Sequence, residues 1–310
     1  MPTGAPGGIM SPMRIELPPS RSVDLDGPVH YVEWDGPPGR TFVLVHGLGG
    51  SLLSWLAVAP GLARHGRVLA LDLPGFGRSE RDGRRSRVSD LRHTLSRFVD
   101  DVAGAPVVLI GNSMGGGISM LEAALEPKAV EALVLSNSVF PWKRGAFPAP
   151  VVMLGFALYE LPRVGEWASR QRLTRLEAER AVRLGLRIIT ADPSRVPDEL
   201  VRLHVEQFVD LQAHADAGPA FLEAARSLLA LGRHREVVRW IVGSVSCPVL
   251  VIHGREDRLV PLGFAMGALE MRPEWDMRLI PHVGHVPQME APERWLSAVE
   301  DWLARLPVPA

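Results

Sequence analysis

The sequence predicts a layered α/β fold, and three observations carry that prediction. Short apolar runs recur along the chain: "TFVLVHG" (41–47), "RVLALDLPG" (67–75), "PVVLIGNS" (106–113), "VEALVLSNS" (130–138) and "CPVLVIHG" (247–254). They are rich in Val, Leu and Ile, lack polar alternation and end on turn formers, the pattern of strands covered on both faces of a parallel sheet. Helix-like segments at 52–64, 89–103 and 114–125 lie between them, giving the strand–helix rhythm of an α/β architecture. Finally, the chain has 310 residues, 46% hydrophobic and 22% charged, an ordinary balance for a protein with a sizeable core.

Residues 1–20 begin "MPTGAPGGIMSPM", a Gly, Pro and Ser-rich stretch that reads as a flexible tail, with Met10 and Met13 as alternative translation starts. "VDLDGPVHYVEWDG" (23–36) alternates more and holds a D-G turn, which predicts an antiparallel hairpin at the sheet edge. The buried-strand rhythm then runs to about 140, stops, and resumes at "CPVLVIHG". Between 141 and 242 the pattern is helical, entered through Pro141, Pro148 and Pro150, so this stretch reads as a helical insertion. The α/β core is thus expected from 21–140 and 243–310. Arginines alternating with glutamates within the insertion read as a solvated face.

Net charge is −1, so no overall field favours nucleic acid or an anionic membrane. No apolar stretch approaches the roughly 18 residues of a membrane span, and the N-terminus lacks the basic and apolar regions of a signal peptide. The expectation is a cytoplasmic protein acting on a small molecule. The single cysteine, Cys247, cannot form an internal disulfide and reads as a small buried hydrophobe; no metal site is expected.

The chemistry centres on "GNSMGG" (111–116). A G-x-S-x-G match alone decides nothing, but here a strand precedes Ser113 and a helix follows it. A strand-to-helix turn strains its central residue, and small residues at −2 and +2, Gly111 and Gly115, let the chain reverse. A serine needs a base oriented by a third group. Asp257 lies just past a strand end in "VIHGREDRLVP", and His285 follows a last short strand in "MRLIPHVGHVPQMEAPE". The order Ser113, Asp257, His285, each at a C-terminal strand end, is that of an acyl-transfer triad on an α/β sheet. His282 stands as an alternative base and Glu256 as an alternative acid. His46 and His253 end strands and are expected to make structural hydrogen bonds. The glycine-rich "LVHGLGGS" offers a backbone N–H at Leu48 that, with that of Met114, would form an oxyanion hole. Phe140, Trp142, Phe147, Met153, Phe156 and Tyr159, near the entry to the insertion, would wall an acyl or aryl group; core packing of that segment accounts for them equally. Val286, beside the candidate base, completes the predicted substrate contacts.

From about 28 to 305 the chain resembles the α/β-hydrolase superfamily in its lidded esterase/lipase-like branch. The resemblance rests on "HGLGG" (46–50), "DLPGFGRS" (72–79), "GNSMGG" (111–116), "GREDRLVP" (254–261) and "GHVPQMEAPE" (284–293). It implies an eight-stranded, mostly parallel sheet, with 141–242 as a helical cap inserted after the sixth strand. It also implies a Ser113/Asp257/His285 triad, an oxyanion hole from Leu48 and Met114, ester hydrolysis and no cofactor. Asn137 sits where some relatives carry their acid, but an amide does not stabilise an imidazolium as a carboxylate does. The serine argues against the aspartate-using haloalkane dehalogenases and epoxide hydrolases. "GNSMGG" also resembles the elbow of hydrolases that cleave carbon–carbon bonds in ring-fission dienones. Those usually carry an "HGxGPG" loop and an aromatic residue after the histidine, where this chain has HGLGGS and Val286. A ligand-binding protein of the same fold without catalysis is the third reading.

Overall fold

The computed structural model describes residues 15–139 and 146–307. Eight strands form one sheet: β1 (Arg21–Asp24), β2 (Pro28–Trp34), β3 (Arg40–Val45), β4 (Gly66–Leu71), β5 (Val107–Asn112), β6 (Val130–Ser136), β7 (Val249–Gly254) and β8 (Asp276–Ile280). Their spatial order is β1-β2-β4-β3-β5-β6-β7-β8. β1 and β2 form an antiparallel hairpin at the edge, turned by Asp26 and Gly27, both at positive φ. β2 is also antiparallel to β4, and every remaining pairing is parallel. This is the eight-stranded, mostly parallel sheet that the motifs imply.

The apolar runs lack alternation because both faces of the sheet are buried. Val43, Leu69, Leu109, Leu133 and Val251 face one apolar cluster; Phe42, Leu44, Val108, Val134 and Ile252 face the other. Short α1 (Ala59–Leu62), then α2 (Val88–Phe98) and α3 (Met114–Leu125), follow the early strands. Leu91, Leu95 and Phe98 of α2 and Ile118 of α3 pack on the first face, whereas Trp55, Leu62, Trp295 and Trp302 pack on the second. Two helix expectations need correction. The 52–64 segment is a 3₁₀ turn (Leu52–Trp55) followed by α1, restarted at Pro60, and 89–103 is α2 closed by a π turn at Val99–Ala103. In the first case proline cannot continue the preceding hydrogen-bond ladder, and burial of every residue from Ser51 to Ala59 sets the path instead.

Between β6 and β7 lie α4 (Pro150–Glu160), α5 (Val164–Thr174), α6 (Ala178–Ile189), α7 (Asp198–Ala213), α8 (Ala217–Arg233) and α9 (Arg235–Ser244). After β7 come α10 (Leu262–Met271), α11 (Pro287–Glu290) and α12 (Pro292–Leu303). No helix among the described residues is long and apolar enough to cross a membrane. Parallel register aligns the strand ends that matter below. Asn112 pairs with Ser136, and Ser136 with Ile252, so the residues just beyond β5, β6 and β7 emerge along one edge of the sheet.

Candidate active site

Ser113 joins β5 to α3 with φ 55° and ψ −119°, a backbone conformation costly for a residue with a β-carbon. The surroundings hold it there. Its N–H donates to the Ser136 carbonyl at 3.1 Å, and its own carbonyl accepts from Gly117 at 3.2 Å and Val139 at 3.3 Å. Gly115 is required by space: a β-carbon there would lie 2.2 Å from the Val45 carbonyl oxygen. Met114 is the first residue of α3, where a helix leaves its amide without a partner in the helix. The helix N-terminus also favours negative charge.

Asp257 and His285 meet across the loops after β7 and β8. His285 Nδ1 lies 2.7 Å from Asp257 Oδ2, and both side chains are buried. The same oxygen accepts from Asn137 Nδ2 at 2.6 Å, while Oδ1 accepts the amides of Leu259 (2.8 Å) and Val260 (3.0 Å). Burial by itself would raise the Asp257 pKa. The charge of His285, with hydrogen bonds from His285 and Asn137, outweighs it and holds the carboxyl below the usual aspartate value. Asn112 links the serine turn to the histidine loop, donating to the carbonyls of Ser136 (2.9 Å) and His285 (3.1 Å). Ser113 and His285 line one cavity together.

The two alternatives fall elsewhere. His282 is largely exposed at positive φ, 3.7 Å from Glu256 Oε1, and Glu256 Oε2 accepts the Val283 amide at 3.0 Å. They brace the outside of the loop, away from the Asp257–His285 contact. His46 and His253 make hydrogen bonds to the backbone. His46 Nε2 accepts the Leu73 amide at 3.0 Å, so Nδ1 carries the proton donated to the Gly47 carbonyl at 2.8 Å. His253 Nε2 donates to the Val260 carbonyl at 3.0 Å. Burial lowers both imidazole pKa values, against the opposing pull of Asp72 and Asp257 respectively, which keeps both rings neutral.

Leu48 and Ser113 line two adjoining cavities. One, of about 460 Å³, is walled by apolar side chains including Met120, Val139, Phe147, Met153, Phe156 and Phe264. The other, of about 520 Å³, holds His285, Val286 and Met289 together with Tyr159, Arg172, His204 and Gln207. Of the predicted substrate contacts, Val286 is buried beside His285 in this second cavity, and Phe140 and Trp142 lie outside the described residues. A larger open cleft of about 910 Å³ runs between α2, α5 and α8, lined by ion-paired Arg81, Glu166, Glu223 and Arg226; it does not reach Ser113.

Sequence reasoning missed the polar side chains that hold this edge in place. Buried Glu290 accepts the amides of Ala191 (3.0 Å), Asp192 (2.8 Å) and Gly284 (2.8 Å). It thereby ties the end of α6 to the histidine loop, as does the His285 amide donating to the Ile189 carbonyl at 2.6 Å. Asp72, of "DLPGFGRS", accepts the amides of Leu52 (2.8 Å) and Arg78 (2.9 Å) and lies 2.8 Å from His30 Nδ1. Among the described residues no three His, Cys, Asp or Glu side chains converge to hold a metal ion.

Residues 40–292 match the family described as alpha/beta hydrolase fold. The chain is 30% identical over 266 residues to the dihydrolipoyllysine-residue acetyltransferase component of the acetoin cleaving system of Pseudomonas putida. That match takes in 86% of this chain and spans 64% of the other protein's length. It is 28% identical over 292 residues to the 2-hydroxymuconate semialdehyde hydrolase of Pseudomonas sp. (strain CF600), covering 87% of this chain and 89% of that one. Among solved structures, Cfl2 from Burkholderia cenocepacia is similar with a TM-score of 0.76 at 24% identity, over 91% of this chain and 95% of that one.

Proposed function

The chain belongs to the alpha/beta hydrolase family, and from that premise we propose that it is a serine hydrolase cleaving carboxylic esters with small to medium apolar acyl or aryl groups. One observation carries the reading: a serine in a strained turn lines the same cavity as a buried histidine whose far nitrogen is 2.7 Å from a carboxylate. Ser113 Oγ attacks the ester carbonyl as His285 Nε2 takes its proton, and Asp257 fixes the tautomer and stabilises the imidazolium. The amides of Leu48 and Met114 receive the oxyanion, whose stabilisation is commonly worth about 2.7–4 kcal/mol per donor. His285 then protonates the leaving alcohol, and water activated by the same imidazole hydrolyses the acyl-enzyme. The residues from 141 to 242 act as a cap, and the apolar cavity takes the acyl or aryl group.

The test pairs a fluorophosphonate probe with p-nitrophenyl butyrate hydrolysis. Wild-type protein is expected to label and turn over, and Ser113→Ala to lose labelling and at least about 10³-fold in kcat. Hydrolysis by the variant within tenfold of wild type would remove Ser113 from the nucleophile role.

A second reading, hydrolysis of a carbon–carbon bond in a ring-fission dienone, is favoured by the similarity to a 2-hydroxymuconate semialdehyde hydrolase along nearly the whole of both chains. The same serine, base and oxyanion donors would serve it. Loss of dienone absorbance on mixing with the protein, without turnover of any ester, would select this reading over the first.

A further inference from the structure

The polar cavity contains a charge that the proposed mechanism leaves unused. Arg172, on α5, lines it, and among the described residues lining it there is no Asp or Glu. The neighbouring arginines differ: Arg170 bonds to its own helix, and Arg226 pairs with Glu166 at 2.7 Å. Arg172 forms no ion pair with any described residue. Its guanidinium lies over the Phe221 ring, 4.2 Å from the centroid, an arrangement that holds a cation in place while leaving its N–H groups to other acceptors.

Its position is tied to the reacting centre. A β-carbon on Gly49 would lie 2.8 Å from Arg172 Nη2, so the guanidinium rests against the loop whose preceding residue, Leu48, is the candidate oxyanion donor. Arg172 is an exposed residue, so its guanidinium lies along the open wall of the cavity within reach of solvent and ligand. Gln207 adds to the same wall: its Oε1 accepts from Ser51 Oγ at 2.5 Å, which leaves its amide N–H groups as donors. His204 donates Nδ1–H to the Leu200 carbonyl at 2.8 Å and is kept neutral by burial, so it adds no competing cation. A guanidinium without a counter-charge on the wall of this cavity can be met by a bound carboxylate in a bidentate geometry that a neutral group cannot supply.

We infer that Arg172 is a specificity residue that holds a carboxylate carried by the substrate, so that the preferred ester is an anionic one with its charge in the cavity shared by Ser113 and His285. This rests on the ester reading of the site. Two ester types place the charge differently: half-esters of dicarboxylic acids on the acyl side, and acylated hydroxy acids on the alcohol side.

The experiment compares kcat/KM for isosteric pairs: monomethyl glutarate against methyl 5-methylhexanoate, and O-butyryl glycolate against isobutyl butyrate. A preference of about 10- to 100-fold for the anionic member of at least one pair is expected. In Arg172→Gln the anionic member should fall at least tenfold further than its neutral partner, with partial recovery in Arg172→Lys. Equal loss on both members would make Arg172 a packing residue and overturn the inference, as would an anionic preference that survives in Arg172→Gln. A binding arm separates this from the ester reading: glutarate titrated calorimetrically into wild-type protein and Arg172→Gln. If no ester of either kind is hydrolysed, the ester reading fails alone, and binding at least tenfold weaker in the variant still supports the Arg172 assignment. Indistinguishable glutarate binding overturns it.

Discussion

Asn137 is the position at which removing one amide should separate structure from chemistry most clearly. It sits just past β6 at φ 45°, fully buried, and serves three loops at once. Its Nδ2 donates to Asp257 Oδ2 at 2.6 Å and to the Gly284 carbonyl at 3.2 Å, and its Oδ1 accepts the Gly254 amide at 3.1 Å. The bond to the carboxylate is charge-assisted and worth about 1.5–3 kcal/mol. Orphaning the buried Gly254 amide costs about 1–3 kcal/mol more, less whatever water recovers. Asn137→Gly, which keeps positive φ accessible, is therefore expected to lose roughly 3–4 kcal/mol. Asn137→Ala should lose about 1–2 kcal/mol beyond that for the left-handed backbone. At about 2–4 °C per kcal/mol, the glycine variant should melt some 6–16 °C lower. Because Asp257 is left less firmly oriented, kcat for p-nitrophenyl butyrate should drop about 10- to 100-fold with KM little changed. Urea unfolding with steady-state kinetics measures both. A glycine variant within 1 kcal/mol of wild type and within twofold in kcat would refute the claim that this amide orients the acid.

Other expectations concern the same edge of the sheet and one site remote from it. Gly115→Ala puts a β-carbon 2.2 Å from the Val45 carbonyl and 2.4 Å from that of His46, so β3 must move and carry the Gly47–Leu48 loop with it. Fluorophosphonate labelling should slow at least tenfold for a stability loss of about 1–3 kcal/mol, and an unchanged labelling rate would contradict this. Asp257 has its pKa depressed in the folded state, so its contribution to stability is complete above the unfolded value near 3.9 and fades as pH falls through the folded one. Urea midpoints for wild type should owe no pH dependence to this group between pH 5 and 9. Asn137→Gly, which raises the folded pKa, should leave the onset of the loss near the unfolded value but make the contribution smaller and exhaust it at a higher pH; coincident acid limbs would count against that coupling. Burial pushes the Cys247 thiol up to about 11, which leaves roughly 0.1% thiolate at pH 8. Native protein should react with a disulfide reagent over 100-fold more slowly than in denaturant, and stoichiometric reaction of the native state within minutes would show the thiol to be open.

The sheet was legible because strand burial is a local property of composition. "VVLIG" and "VLVIHG" carry no polar alternation, and both faces of β5 and β7 are covered. Ser113, Asp257 and His285 were legible for a related reason: each follows an apolar run, and order along the chain ranks them. What brings their loops together was not. Asn112 reaches across 173 residues to the His285 carbonyl, Asn137 across 120 to Asp257, and Glu290 across 98 to Asp192. An isolated Asn or Glu looks alike in sequence whether it caps a turn, faces solvent or sits fully buried. Only the fold supplies its partner. The 52–64 segment failed for the converse reason, since its helical pattern is real but Pro60 and tight burial impose a different path. Arg172 was hidden among many arginines of the helical stretch, most of which are surface groups beside glutamates.

These ties also make two parts of the helical stretch unequal. The end of α6 is fastened to the histidine loop three ways: Ile189 accepts the His285 amide, Glu290 accepts Ala191 and Asp192, and Arg195 Nη1 donates to the His282 carbonyl at 2.5 Å. α4 has no buried residue, and it exposes Val151, Met153, Leu154 and Leu158. Interactions with few buried apolar contacts open at low free energy, whereas those built on buried polar groups in a packed loop do not. His285 is therefore held by the more firmly attached part of the inserted helices, and the apolar cavity is walled by the less firmly attached α4. Amide exchange makes this distinction measurable: Thr190, whose N–H donates to Leu186 beside the tie, should exchange far more slowly than Val152 and Met153, whose N–H groups donate to Ala149. Equal protection of α4 and the end of α6 would mean that the Glu290 and His285 contacts do not stiffen α6.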